Sequence, residues 1–558
     1  MKKSNEDLKL EEFFEKKWQA DFEKHPEYAT FMGIQTFNDR MSDHSEKGSI
    51  DTYESEKQLF EELKSFNVSE LSESNKLSYE LFSLKTKNNI DGFKYDTHFM
   101  PINQMHGFHN YFSRLVELMP FKNEKDYKNY LSRINSFSGI IDGLIDLMKK
   151  GIEKGLTVPK IAMEDVPNQI TRQLPEDISK SSFYKPISNA KDISKELLTE
   201  IENAIKSEIY GGFNKLVNFI KNDYIPNCRE SIATSDLPNG KELYDFLLQE
   251  LTTTNLTAEE IHQMGLKEVE RIFSEIQEVM KKAGFDDYDK FLDNLRTNPD
   301  FYFTEPETLL MTYRDFCKRV DKELPRFFKM LPRLPYGVEK VPDYQAPSAT
   351  TAYYASPDIS MTRAGIYYAN TYQLETRPKY EIEALSLHEA VPGHHLQIAL
   401  AMEMEGIPQF RKVSRFIGYI EGWGLYSEKL GAEMGFYQDI FSKFGQLSFE
   451  IWRACRLVVD TGIHAFGWDR RKAIDYLKYY TGKSEAACVV EVDRYIVMPA
   501  QACTYKIGEI KILEIRKKFE EEKGKDFDIR EFHDVILRNG ALPLSILEKY
   551  AYQELSNK

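Results

Sequence analysis

Apolar residues recur at three- and four-residue intervals through most of the chain, the period of a helix that buries one face. From Glu6 to about Gly33 they fall at Phe13, Phe14, Trp18 and Phe22 among charged positions, and similar stretches run from Glu54 to Asn89 and from Asp126 to Gly155. Each predicts an amphipathic helix. A start signal stands at Leu256-Thr257-Ala258-Glu259-Glu260-Ile261. Thr257 can accept from the amide of Glu260 while the Glu260 carboxylate reaches back, a capping box opening a helix to about Lys282, with Gly284 as its stop.

One region departs from this period. Between about Pro332 and Arg377, prolines, tyrosines and β-branched residues cluster, and the runs Ala349 to Tyr354 and Gly365 to Asn370 have strand composition. The turn-rich Ser356-Pro357-Asp358 separates them, so a small sheet or hairpin is expected over about 345–372. The fold class is therefore mainly α with one small β element. A helical amino-terminal subdomain over 1–250 and a catalytic subdomain over 251–558 are the expected divisions, with soft boundaries that also allow one continuous fold. No repeat of 20 to 50 residues is evident.

With 558 residues, 41% hydrophobic and 29% charged, the chain can bury a large core and falls outside the disordered and low-complexity classes. Its net charge of −15 disfavours nucleic acid and anionic lipid as partners. No run approaches the roughly 20 apolar residues of a membrane helix. Met1-Lys2-Lys3-Ser4-Asn5-Glu6-Asp7 lacks the apolar core of a signal peptide, so a cytoplasmic protein is expected unless a leader was removed. Cys228, Cys317, Cys455, Cys488 and Cys503 are odd in number and widely spaced, and read as buried packing residues in a reducing compartment.

The chemistry concentrates in Leu385-Ser386-Leu387-His388-Glu389-Ala390-Val391-Pro392-Gly393-His394-His395-Leu396-Gln397. Zinc hydrolysis needs imidazole ligands, a carboxylate beside the metal to take a proton from water, and usually a third protein ligand. The common spacing puts two histidines four apart on one helical face, about 6 Å along the axis. Here the fourth position after His388 is Pro392. The second ligand is then His394 or His395, which an unbroken helix would carry about 9 to 10 Å along its axis from His388. Pro392 cannot donate to the carbonyl of His388, and Gly393 tolerates unusual backbone angles, so the dipeptide suits looping out extra residues. A bulge would bring His394 into register, leaving His395 the weaker candidate ligand and otherwise a residue toward substrate. Downstream, Glu421 in Tyr419-Ile420-Glu421-Gly422-Trp423-Gly424-Leu425-Tyr426-Ser427-Glu428 can supply the third ligand, with Glu428 as its partner behind the metal or its substitute. The small Gly422 and Gly424 beside Trp423 predict close helix packing there.

The His388 to Gln397 and Glu421 to Glu428 segments resemble a large bacterial family of unknown function whose signature is H-E-x-x-P-G-H-H and whose members look like gluzincin metallopeptidases. Leu256 to Leu266 and Arg494 to Gly508 resemble further family blocks, so the similarity covers most of the chain. Ala500 stands where the family usually has glycine, before Gln501. By comparison with gluzincins of the angiotensin-converting-enzyme and dipeptidyl-peptidase-III types, the resemblance implies a helical fold whose β element lines a deep cleft. It aligns Gly393-His394 as the closing pair, Glu421 as third ligand, Glu389 as general base and one Zn²⁺ ion.

Other segments are candidates to complete the site. His464, with Asp460 one turn back to orient it, can donate to a substrate carbonyl or oxyanion. Tyr505 can donate its phenol to the same oxyanion, and Arg494 can clamp a substrate carboxylate. The strand from Gly365 to Asn370, with Tyr368 as a substrate-binding residue, suits an edge that pairs with an extended peptide. His106 and His109 lack nearby carboxylate partners and make a poor second metal site. The expected activity is zinc-dependent hydrolysis of short peptides, by an oligopeptidase, dipeptidase or carboxypeptidase. The alternatives are an amidohydrolase acting on modified amino acids or peptidoglycan fragments, or a silent binding protein on the same scaffold.

Overall fold

The computed structural model describes residues 3–343, 345–346 and 349–556. Residues 347 and 348 of the expected β element lie outside the described residues. The described residues are mainly helical with one three-stranded sheet, and the chain divides into two compact units, Met1–Leu243 and Tyr244–Lys558. No helix among the described residues is long and apolar enough to cross a membrane.

Among its described residues the first unit is mainly helical, with one isolated β-bridge between Pro159 and Arg229. α1 (Asn5–Lys24) opens on a capping box in which the Ser4 side chain accepts from the Asp7 amide and Asp7 returns the bond, and it buries Phe13, Phe14, Trp18 and Phe22. The expected helix from Glu6 to Gly33 is two, because Pro26 begins a second short one. The stretch from Glu54 to Asn89 also resolves into a pair, α2 (Glu46–Lys64) and α3 (Glu73–Phe93), with Ser72 capping the second. α4 (Phe137–Lys154) ends at Gly155, whose φ of +70° is the left-handed conformation glycine adopts without a Cβ penalty.

The second unit is built on two long helix pairs. α5 (Ala258–Lys282) starts at the predicted capping box, with Glu260 N 3.3 Å from Thr257 Oγ1 and Thr257 N 2.9 Å from Glu260 Oε2. It packs against a later 25-residue helix through Gly265, where a methyl group would lie 2.7 Å from the Leu457 Cβ. After α6 (Pro306–Phe327) the chain forms β1 (Tyr336–Lys340), β2 (Ala352–Ala355) and β3 (Gly365–Ala369). The sheet order is β1-β3-β2, with β1 parallel and β2 antiparallel to β3. The strand expected to be an edge is thus central: β3 uses both its sides on neighbours, and the outer side of β2 is an edge instead. β1 went unread because proline and glycine around it mask a five-residue run.

The helices that carry the site follow: α7 (Ile382–Glu389), α8 (His394–Met402), α9 (Ile417–Glu433), α10 (Ile440–His464), α11 (Glu485–Val497) and α12 (Thr504–Lys523). α9 and α12 approach backbone to backbone at Gly418, Gly422 and Gly508; a methyl on Gly508 would collide with the Gly418 carbonyl oxygen. The close packing expected from Gly422 is this contact.

Candidate metal centre

The segment between His388 and His394 does more than bulge. α7 ends at Glu389, the backbone leaves helical angles at Ala390 and Gly393, and a new helix begins at His394. Pro392 has no amide to continue the ladder. A side chain on Gly393 would collide with the carbonyls of His388 and Leu387, so only glycine allows this return. Helical bonding resumes as the Gln397 amide reaches the Gly393 carbonyl at 3.1 Å. From α9 the Trp423 indole donates to the Pro392 carbonyl at 2.8 Å, tying the break to its neighbour.

The result brings together what a straight helix would separate. The His388 and His394 rings lie 4.6 Å apart at 80° to each other. Glu421 Oε2 is 3.5 Å from His388 Nε2 and 3.6 Å from His394 Nε2, and the three ligand atoms lie within 4.8 Å of one another. Among the described residues no other three-residue group of His, Cys, Asp and Glu has this form. Gly424 makes the room: a Cβ there would stand 2.6 to 2.9 Å from three atoms of the His388 ring.

This donor set fits zinc. Two imidazoles and a carboxylate suit that ion, and the 3.5 and 3.6 Å separations are near the edge of about 3.3 Å in a tetrahedron with bonds of 2.0–2.1 Å. Behind the cluster, His388 Nδ1 donates to Glu428 Oε1 at 2.7 Å, which fixes the tautomer and turns Nε2 toward Glu421. Arg453 from α10 stands 3.6 Å from the same Glu428 oxygen. Burial alone would favour neutral His388, but Glu421 and Glu428 outweigh it and push its pKa up to about 9. Glu421 is also opposed by burial, yet His388 and His394 hold its carboxyl far below the usual range. The arrangement attracts positive charge.

Glu389, the last residue of α7, is buried beside His388, and its carboxylate acts electrostatically on His388 and on the Tyr367 hydroxyl. Tyr505, at the start of α12, lies one turn before Gly508, which packs on Gly422 next to Glu421, and its pKa is raised by burial and then by the Glu421 charge.

The other expected residues are engaged with partners of their own. His395 points away from His394: its Nδ1 accepts from the Tyr354 hydroxyl at 2.9 Å and its Nε2 donates to the Leu334 carbonyl at 3.1 Å. Burial lowers its pKa to about 4, so it is a neutral packing residue against the sheet. Tyr368 faces Tyr353 across β3 and β2, while strand alternation turns its neighbour Tyr367 toward Glu389. His464 is fully buried, with Nε2 donating to the Tyr495 carbonyl at 3.0 Å, so that N–H is spent on backbone. Asp460 Oδ1 accepts from the Tyr244 hydroxyl at 2.6 Å and the Ala500 amide at 2.9 Å. Ala500 holds a φ of +69°, the left-handed region that suits the glycine expected there. Arg494 binds Gln501 and Glu491. His109 is buried with Nε2 3.1 Å from Gln169 Oε1. Sequence reading passed over Tyr367, Arg453 and Arg456. Their signals were the period of two in β3 and cations inside an otherwise buried helix.

The description "Bacterial protein of unknown function (DUF885)" belongs to a family that matches residues 26–550. The chain belongs to this family. No curated protein matches it. Among solved structures, it is similar to "the putative lipoprotein from Colwellia psychrerythraea", at 26% identity over 100% of both chains and a TM-score of 0.94. A second, "a putative lipoprotein of unknown function from Shewanella oneidensis", is 15% identical, with a TM-score of 0.79 over 97% of this chain and 99% of that one. The latter likeness concerns the fold alone.

Proposed function

We propose that this DUF885 protein is a zinc-dependent peptidase of gluzincin-like fold that hydrolyses short peptides. The convergence of His388, His394 and Glu421, with Glu389 next to the first of them, carries the reading. When bound, zinc supplies a Lewis acid that polarises a carbonyl and brings the pKa of water toward about 7. The chain's own groups do the rest. Glu428 holds His388 in the tautomer that leaves Nε2 free as a ligand. Glu389 accepts the proton of the attacking water and returns it to the leaving amine. Tyr505 keeps its hydroxyl proton at neutral pH, since burial and Glu421 raise its pKa, and donates to the developing oxyanion.

Metal analysis of the purified protein is expected to find about one zinc per chain. Glu389→Gln should retain that zinc and lose peptide hydrolysis, whereas His388→Ala should lose both. Full activity in Glu389→Gln would remove the base from the mechanism. For the compartment, five buried free cysteines favour a reducing cytoplasm, while the lipoprotein title of the Colwellia psychrerythraea structure favours the envelope. We favour the cytoplasm, and cell fractionation decides it.

A further inference from the structure

Beside the metal cluster, the second unit buries a second concentration of charge. Arg456 in α10 and Arg494 in α11 share a single acid. Glu491 Oε2 lies 3.3 Å from Arg456 Nη2 and 3.0 Å from Arg494 Nη2, and it also accepts from the Tyr495 hydroxyl at 2.7 Å. Arg456 Nε donates to Tyr495 Oη at 3.0 Å, and Arg494 Nη1 donates to Gln501 Oε1 at 2.7 Å. Arg456 Nη1 has no hydrogen-bond partner, although the residue is only 7% exposed.

The neighbouring acids do not restore the balance. Asp493 is engaged by Arg470 at 2.6 and 2.9 Å. Asp460 is pushed by burial to a pKa of about 7, against the Arg494 charge that favours its ionised form, and so carries only part of a charge at neutrality. Two guanidinium groups against Glu491 leave a positive charge in the interior, and an unmatched buried charge is costly unless an anion joins it. Tyr505 links this charge to the metal cluster. Its ring lies 4.5 Å from the Arg456 guanidinium carbon, and one turn further along α12 the backbone of Gly508 packs against Gly422, the neighbour of Glu421.

We propose that Arg456 and Arg494 anchor a carboxylate carried by the leaving amine of the substrate. The inference rests on the hydrolase reading of the His388 site and names its substrate class. The bond cut is the amide preceding a residue with a free α-carboxylate, either the last residue of a peptide or the amino acid of an N-acyl amino acid. Water adds across that C–N bond, the acyl part leaves as a carboxylate, and the released amino acid takes the proton on its amine. Nε and Nη2 of Arg456 are already engaged, so Nη1 is the donor left for a carboxylate oxygen, a charge-assisted hydrogen bond.

Calorimetric titration of the full zinc-loaded chain carrying Glu389→Gln, which blocks turnover, tests this. N-acetylglycyl-phenylalanine should bind at least about tenfold more tightly than its carboxy-terminal amide. N-acetylphenylalanine, run beside them, distinguishes the acylated amino acid from the peptide as the source of the carboxylate. Adding Arg456→Gln should erase the preference for acid over amide, and Arg456→Lys should keep part of it. Equal binding of acid and amide, no binding of either, or an unchanged preference in Arg456→Gln would overturn the anchor. The comparison of acid with amide needs no arginine variant, so misfolding of Arg456→Gln cannot mask the result. Zinc content and hydrolysis by the unmutated chain report separately: an acid preference without hydrolysis would sink the peptidase reading, and hydrolysis without an acid preference would sink only the anchor.

Discussion

Gly424 shows how little tolerance the metal cluster has at the level of one residue. A methyl group there would stand within 2.9 Å of the His388 ring, which is already fixed by its bond to Glu428. The ring has nowhere to retreat. Gly424→Ala is expected to lower zinc affinity by about 10 to 100-fold, the range seen when the groups orienting a ligand are disturbed. Competition with a chelator of known affinity measures it. The histidines and glutamates of the cluster were legible in sequence because their types and clustering point to a metal. Which histidine serves was not legible, since His394 and His395 differ only in the direction the backbone takes after Gly393. Tyr368 was chosen over Tyr367 for a similar reason: the two alternate across β3, and sequence does not say which face meets the helices.

At the scale of elements, the ions that join helices matter as much as the apolar faces. Lys506 in α12 is fully buried and contacts Glu268 of α5 at 3.0 Å, Glu450 of α10 at 2.9 Å and Glu509 of its own helix at 2.6 Å. Burial disfavours its charge, yet Glu450 and Glu509 more than offset this and raise its pKa. Arg271 would still pair with Glu268 and Glu450, but Lys506→Met would leave buried Glu509 with only Lys429, 4.0 Å away. Removing one partner from such a group costs about 3–5 kcal/mol, and urea unfolding should show a loss of that size. Helix existence, the capping box at Thr257 and the region of the sheet could all be read from periodicity and end signals. The topology could not. β1 is five residues long, and the central place of β3 arises from a parallel pairing with a strand that local sequence barely marks.

Across the whole molecule, three strongly buried histidines weigh on the response to acid. Burial lowers the pKa of His109 and His395 to about 4 and of His533 to about 3, from an ordinary value near 6.5. All three stay neutral in the fold while the unfolded chain takes up protons below about pH 6.5. The stability they contribute is present above that pH and is lost as pH falls toward their folded values. Asp460 acts in the opposite direction by one proton, because its raised pKa makes the folded chain the better binder between its ordinary value and about 7. Three protons outweigh one, so the urea midpoint should decline from pH 6.5 to 4, with a shallower decline in His533→Gln. Below that, Glu27 and Glu491 continue the trend. Burial opposes their ionisation, but His44 and Ser42 hold the first at about 2, and Arg456 and Arg494 hold the second there.

The link from Trp423 to Pro392 has a corollary for how zinc would come and go. One helix carries the acidic ligand, the glycine against which the first imidazole rests, and the indole that pins the turn leading to the second. A shift of that helix would therefore disturb every ligand at once, so loading and release should follow a single two-state step with no stable half-built site.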